Sequence, residues 1–191
     1  MVMLHTGQGA AVLGLILGLM VLTVPALALT GWVQWLSARR SGIRIKGNVA
    51  AARAETILLV ASEGGSTWGF ARTLRDALTA AGHSVHAAPI GQFDPVRYSH
   101  ARRIIILAAT YGMGEAPTSA RGVLDRIRNL PRPPLASLAV LGFGDRSFPD
   151  FCAYADNLAQ AARAIGWAEL APVATVDRQS PQDFARWGRD L

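Results

Sequence analysis

Three short segments hold most of the side chains that could act on a ligand. Ser62-Glu63-Gly64-Gly65-Ser66-Thr67-Trp68-Gly69 is a glycine-rich turn with three hydroxyls, set just ahead of a helical pattern. Free backbone N–H groups and the positive end of a helix dipole suit an anion at such a place. The turn has no Lys or Arg, which argues against a lysine-bearing nucleoside-triphosphate loop, and Gly64-Gly65 lacks the Gly-x-Gly-x-x-Gly spacing of dinucleotide sites. Taken alone it is weak, since Ser and Thr open many helices as caps. The second segment, Ala109-Thr110-Tyr111-Gly112-Met113-Gly114-Glu115-Ala116-Pro117-Thr118-Ser119, sets an aromatic face beside two glycines. That combination lets backbone approach a planar ring closely. The third is Leu141-Gly142-Phe143-Gly144-Asp145-Arg146-Ser147-Phe148-Pro149-Asp150-Phe151, with aromatics spaced through a tight turn.

Each segment follows an apolar run. Strands are expected at Thr56–Ala61, His83–Ala88, Arg103–Ala109, Leu138–Phe143 and Leu170–Val176, with helices at Gly69–Ala81, Thr118–Asn129, Phe151–Ile165 and Pro181–Arg189. The first, third and fourth runs are apolar on both faces, as parallel strands covered by helices are. Five strands alternating with helices make an α/β, doubly wound sheet. The three segments then lie at strand carboxyl ends, where such sheets hold ligands. Pro131-Arg132-Pro133-Pro134 reads as a stiff connector.

The chain has 191 residues, 51% of them hydrophobic, and the excess is concentrated. From Gly9 to Ser37 there is no charged side chain, a length that spans a bilayer core of about 30 Å. One transmembrane helix is expected over 9–37. A signal peptide fits less well, because its apolar stretch is shorter and its basic residues come first. Here Arg39, Arg40, Arg44, Lys46 and Arg53 follow the span, which puts residues 1–8 outside as a short tail and the bulk in the cytoplasm, with Trp32 and Trp35 at the interface. Residues 38–54 form a basic juxtamembrane linker and 55–191 one domain. Those five basic residues come from a total of 19 and leave 14 Lys and Arg against 13 Asp and Glu, so the pI near 10.6 reports topology. No nucleic-acid partner is expected.

Cys152 is the one cysteine, so there is no internal disulfide, and it is expected to pack as a small hydrophobe. The histidines (His5, His83, His86, His100) show no ligand spacing, and no metal is expected. No acid, base or nucleophile constellation stands out: Glu115 is expected to cap the next helix and Asp145 to hold its own turn.

Together the three segments resemble the flavodoxin-like FMN domain of the diflavin reductases, the group of cytochrome P450 reductase and the sulfite reductase flavoprotein. The resemblance covers residues 55–191 and rests on Ser62–Trp68, on Thr110-Tyr-Gly-Met-Gly-Glu-Ala-Pro117 and on Leu141-Gly-Phe-Gly-Asp-Arg-Ser-Phe-Pro-Asp-Phe151. The membrane segment, with Leu29-Thr-Gly-Trp-x-x-Trp-Leu36 ahead of two arginines, is more loosely similar to the last helix of PepSY-type membrane proteins. The resemblance implies a five-stranded sheet in the order 2-1-3-4-5 and FMN as cofactor. It implies a phosphate held by Ser62, Glu63, Gly64, Gly65, Ser66 and Thr67. The flavin ring would lie between Tyr111 and Phe148, with Gly112, Met113 and Gly114 at its N5 edge, Phe143, Gly144, Asp145, Arg146 and Ser147 against the ring and ribityl chain, and Ala109, Thr110 and Phe151 also binding the cofactor. Three residues depart from the family pattern: Gly64 for a threonine, Trp68 for an acidic or small residue, and Phe148 for a tyrosine. Met113 stands where relatives often carry an acidic residue, which would favour full reduction.

The resulting expectation is an electron-transfer component anchored in the inner membrane, fed by an FAD/NADPH reductase module and serving an unidentified redox acceptor. The alternatives are a self-sufficient NAD(P)H:quinone reductase on the same fold and a flavin-free interaction module. A response-regulator reading fails, because Ala61-Ser62-Glu63 offers no acidic pair at the end of the first strand.

Overall fold

The computed structural model describes residues 11–40, 45 and 47–191. It contains two units, 1–44 and 45–191. In the first, α1 (Ala11–Arg40) is a helix of 30 residues with Pro25 inside it. Met20, Val21, Val24, Leu27, Leu29, Trp32 and Val33 are all exposed on it. Among the described residues no helix is long and apolar enough to cross a membrane. Most of the span expected over 9–37 is seen as this helix, but the described residues do not show it as a membrane crossing. The tail with His5, the Trp35 side chain, and Arg44 and Lys46 of the linker lie outside the described residues.

The second unit is organised by β1 (Thr56–Ala61), whose six residues are all buried. Around it lie β2 (Val85–Pro89), β3 (Arg103–Ala109), β4 (Ser137–Gly144) and β5 (Ala174–Asp177). All pairings are parallel, and the order is β2-β1-β3-β4-β5. The sheet begins with β1, one strand in from an edge, steps out to that edge at β2 and then crosses back to β3, so the order reverses between β1 and β3. A crevice opens at the carboxyl ends of strands at such a reversal.

Side chains alternate between the two faces. Ile57, Leu59, Ile104, Ile106 and Val140 pack with Ile127, Tyr154 and Leu158, which belong to α3 (Val123–Arg128) and α4 (Ala153–Ala164). Leu58, Val60, Ile105, Leu107 and Leu141 pack with Trp68, Leu74, Phe184 and Trp187, from α2 (Ser66–Ala80) and α5 (Pro181–Arg189). Each such Leu or Ile contributes about 1.5–3 kcal/mol on burial, which fixes the register of every strand. The α5 helix begins as its sequence dictates: Ser180 accepts the Asp183 N–H at 3.2 Å, Pro181 occupies the first turn, and Arg186 and Arg189 sit in the last.

The expected bounds of β1, β3 and α5 coincide with the observed ones. Elsewhere local hydrogen bonding moves them. His83 donates its N–H to Leu78 O and closes α2, and Ser84 O accepts the N–H groups of Glu55 and Thr56, so β2 starts at Val85 rather than His83. The helix expected over 118–129 is a turn at Thr118–Ala120 followed by α3. It breaks at Gly122, whose φ of 73° lies in the left-handed region. The strand expected from Leu170 begins at Ala174, because Leu170 is bonded back to Leu138 and Pro172 then interrupts the run.

Candidate functional site

The helix α2 opens at Gly65 with no side chain capping it, so its first N–H groups face the loop unclaimed by Ser62, Ser66 or Thr67. Ser62 Oγ instead donates to Gly64 O at 3.0 Å. The loop is fastened to the segment after β3. The Glu63 carboxylate accepts from the N–H and the hydroxyl of Thr118, both at 2.7 Å, and Ser119 Oγ donates to Ser62 O at 3.1 Å. The two Thr118 bonds hold the Glu63 carboxyl below its ordinary pKa.

The second loop doubles back on itself. Tyr111 and Glu115 exchange backbone bonds, N–H of Tyr111 to O of Glu115 at 3.0 Å and the reverse at 2.8 Å, and Gly112-Met113-Gly114 form the tip. Met113 is 68% exposed there. The expected cap by Glu115 is not made: its role is this backbone pairing, and the turn and helix that follow carry no side-chain cap. The Tyr111 hydroxyl reaches across to the first loop and accepts the N–H of Glu63 at 3.0 Å and of Gly64 at 3.3 Å. A β-carbon at Gly64 would lie 4.0 Å from that hydroxyl, which thus stands next to the position of the missing threonine side chain.

The third loop is held by Asp145. Its Oδ1 accepts from Ser147 N at 2.8 Å, Ser147 Oγ at 2.6 Å and Arg178 Nε at 3.0 Å. Those bonds, the Ser147 hydroxyl first, bring the Asp145 carboxyl down to about 2. The expected turn role of Asp145 is met. Arg146 lies over the Phe151 ring, 5.3 Å from its centroid. Phe143 is supported from below by Phe70, centroids 5.1 Å apart. Trp68 is 4% exposed and belongs to the core.

A cleft of about 460 Å³ opens among these loops, within the range for a small-molecule site. Of the residues proposed from the sequence, Ser66, Thr67, Ala109, Thr110, Tyr111, Gly112, Phe143, Gly144, Asp145, Phe148 and Phe151 line it. Ser62, Glu63, Gly64, Gly65, Met113, Gly114, Arg146 and Ser147 do not line it, and Glu63 borders a second cavity that Tyr111 also lines. Sequence reasoning missed Asp150, Cys152, Arg178 and Gln179 in the lining. Arg178 and Gln179 follow β5, and the rule that ligands meet strand carboxyl ends applied to that loop as well. The buried Cys152 thiol is pushed up to about 12 by burial first and by Asp156 and Asp177 next, which makes it inert. Among the described residues no group of His, Cys, Asp or Glu could hold a metal.

The cleft fits a flat cofactor with a phosphate. The Thr110 hydroxyl on its wall is buried with no partner, an unmet polar group of the kind a ligand satisfies. Phe148, 53% exposed, offers a free aromatic face at the rim.

The sequence pattern of the family described as Flavodoxin matches residues 58–187. The alpha-component of NADPH sulfite reductase flavoprotein from Photobacterium profundum is 34% identical over 110 residues, 56% of this chain and 18% of that protein. Its counterpart from Yersinia enterocolitica is 27% identical over 166 residues, 85% of this chain and 28% of that protein. The chain thus spans less than a third of these relatives. In fold it is similar to oxidised Flavodoxin 2 from Bacillus cereus, with TM-score 0.61, 23% identity, and 72% of this chain and 97% of that one covered. The flavodoxin of Streptococcus pneumoniae TIGR4 gives 0.62, 23%, 71% and 93%.

Proposed function

From the premise that this chain belongs to the flavodoxin family, we propose that it is a membrane-tethered FMN electron carrier, fed by an FAD/NADPH reductase module and discharging singly to an acceptor at the membrane. The cofactor is FMN and the domain is an electron-transfer domain related to the sulfite reductase flavoprotein. Bound FMN supplies a ring able to take up two electrons one at a time. The observation that carries the reading is the cleft at the sheet reversal, with the unpartnered Thr110 hydroxyl on its wall and an uncapped helix start beside it.

The chain's own residues have separable tasks in it. Ser66, Thr67, the first N–H groups of α2 and the N–H groups of Glu63 and Gly64 ahead of it would hold the phosphate. Tyr111 and Phe148 would bracket the ring, and the exposed Met113 and Phe148 would exclude water from its edge. The ties among the loops keep these groups in place as charge arrives. Tethering is supported by the uncharged stretch from Gly9 to Ser37 and by the exposed apolar side chains of α1. The basic residues after it support a cytoplasmic position for the domain on the inner membrane. A tether would raise the effective concentration of donor and acceptor at one surface.

The test uses the full chain in nanodiscs. FMN is titrated by fluorescence quenching, and the loaded protein is then offered NADPH alone and NADPH with an FAD-containing reductase. Reduction only with the reductase present, through a long-wavelength absorption band at half reduction, is expected. Oxidation of NADPH by the chain alone would make it a self-sufficient reductase, and failure to take up FMN would leave an interaction module.

A further inference from the structure

The connection from β5 to α5 holds two consecutive residues other than glycine in the left-handed region, Arg178 at φ 45° and Gln179 at φ 60°. Side chains disfavour this region, and residues persist in it where the surroundings over-determine them, most often at functional sites. The surroundings here are specific. Arg178 N donates to Gly144 O at 2.8 Å, Arg146 N donates to Asp177 Oδ1 at 3.0 Å, and Ser180 N closes the turn on Asp177 O at 2.9 Å. The strained pair is thus bonded to the third loop of the site, and both residues line the same cleft as Tyr111 and Phe148.

We propose that Arg178 is a fourth-loop cofactor residue, whose guanidinium, held by Asp145 at the cleft wall, sets the potential at which the flavin is fully reduced. The inference rests on the FMN reading above and goes beyond it by naming a charge that tunes it. Among the described residues lining the cleft the charged ones are Asp145, Asp150 and Arg178, so Arg178 is the single cation against two carboxylates. Full reduction of a flavin adds negative charge, and a nearby cation stabilises that form while carboxylates oppose it. Arg178 is anchored by its backbone N–H on Gly144 and by its Nε on Asp145 at 3.0 Å, so its charge is held at the cleft wall although its side chain is 66% exposed. The partner carboxylate offsets part of that charge, which makes the pair, and not the arginine alone, the tuning element.

The experiment is spectroelectrochemical titration of the full chain loaded with FMN, alongside FMN affinity by fluorescence quenching. Arg178→Gln is expected to move the second reduction step to a more negative potential, Arg178→Lys to restore most of the shift, and Asp145→Asn to move it to a more positive one. Arg178→Gly removes the charge while relieving the backbone, and is expected to match Arg178→Gln in potential and exceed it in thermal stability. A second potential that is the same in Arg178→Gln and Arg178→Gly as in the unsubstituted chain, or that does not follow charge across the series, would overturn the proposal while leaving the FMN reading intact. An unsubstituted chain that takes up no FMN would overturn both.

Discussion

The phenolic oxygen of Tyr111 stands 3.0 Å from the backbone nitrogen of Glu63, so a side chain from the second loop accepts an N–H of the first. It accepts that of Gly64 as well, at 3.3 Å. These are the N–H groups a phosphate would use, and the two acceptors compete. Tyr111→Phe keeps the ring and removes the competitor. A neutral hydrogen bond is worth about 0.5–1.5 kcal/mol, so FMN affinity is expected to rise by roughly 2- to 10-fold. Riboflavin, which lacks the phosphate, is the control, and its affinity is expected to stay unchanged. Fluorescence titration of both ligands reads the result, and weaker FMN binding in the variant would mean the hydroxyl acts on the phosphate instead of excluding it.

The glycines at the tip of the second loop are unequal. A β-carbon at Gly114, φ 89°, would lie 2.7 Å from Asp150 Cβ and 3.3 Å from Ala153 Cβ. One at Gly112, φ 53°, would meet nothing nearer than Glu115 Oε2 at 3.7 Å. Gly114→Ala therefore combines backbone strain with a clash against Asp150 of the third loop and crowding against the start of α4, and about 2–4 kcal/mol of stability is expected to be lost. Gly112→Ala incurs the left-handed backbone alone, about 1–2 kcal/mol. Urea denaturation of the two variants gives the order.

Acid should loosen the third loop. The Asp145 carboxyl titrates near 2 in the folded chain, below its ordinary value near 3.8. A group depressed on folding contributes stability that is present above the unfolded pKa and lost as pH falls through the folded one, here between about pH 4 and 2. Asp145→Asn removes that contribution. The difference in melting temperature between the two proteins is expected to be largest at neutral pH and to close across that window, which calorimetry at stepped pH measures.

Cys152 is buried, and its thiol sits near 12. Thiol reagents at pH 8 should modify the folded chain on the order of a thousandfold more slowly than a free cysteine and the urea-unfolded chain at the ordinary rate. Rapid labelling of the native protein would contradict the packing around Gly142 and Gly144, whose β-carbons would come within about 3 Å of Cys152.

The sheet was legible in the sequence because parallel central strands are apolar on both faces, and β1 and β3 kept the bounds their Ile, Leu and Val runs imply. Motif spacing likewise brought Thr110, Tyr111, Phe143 and Phe148 to one cleft. What escaped depends on partners distant in sequence. Nothing near Tyr111 announces that its hydroxyl will seek Glu63, 48 residues away. Arg178 looked like one scattered arginine among many, because its partner Asp145 is 33 residues earlier. The break at Gly122 was hidden by the helical periodicity on either side of it.

Since all five strands run the same way, the domain has two unlike ends. Thr56, Val85, Arg103 and Ser137 share the row where strands begin, and the connector from Pro131 to Pro134 enters there, with Leu135 fully exposed beside it. The whole length of the sheet separates that row from Tyr111 and Phe143. A fluorophore, an affinity tag or an inserted domain placed at the connector would therefore leave the cleft undisturbed, giving a neutral handle by which electron flow through the other end can be watched.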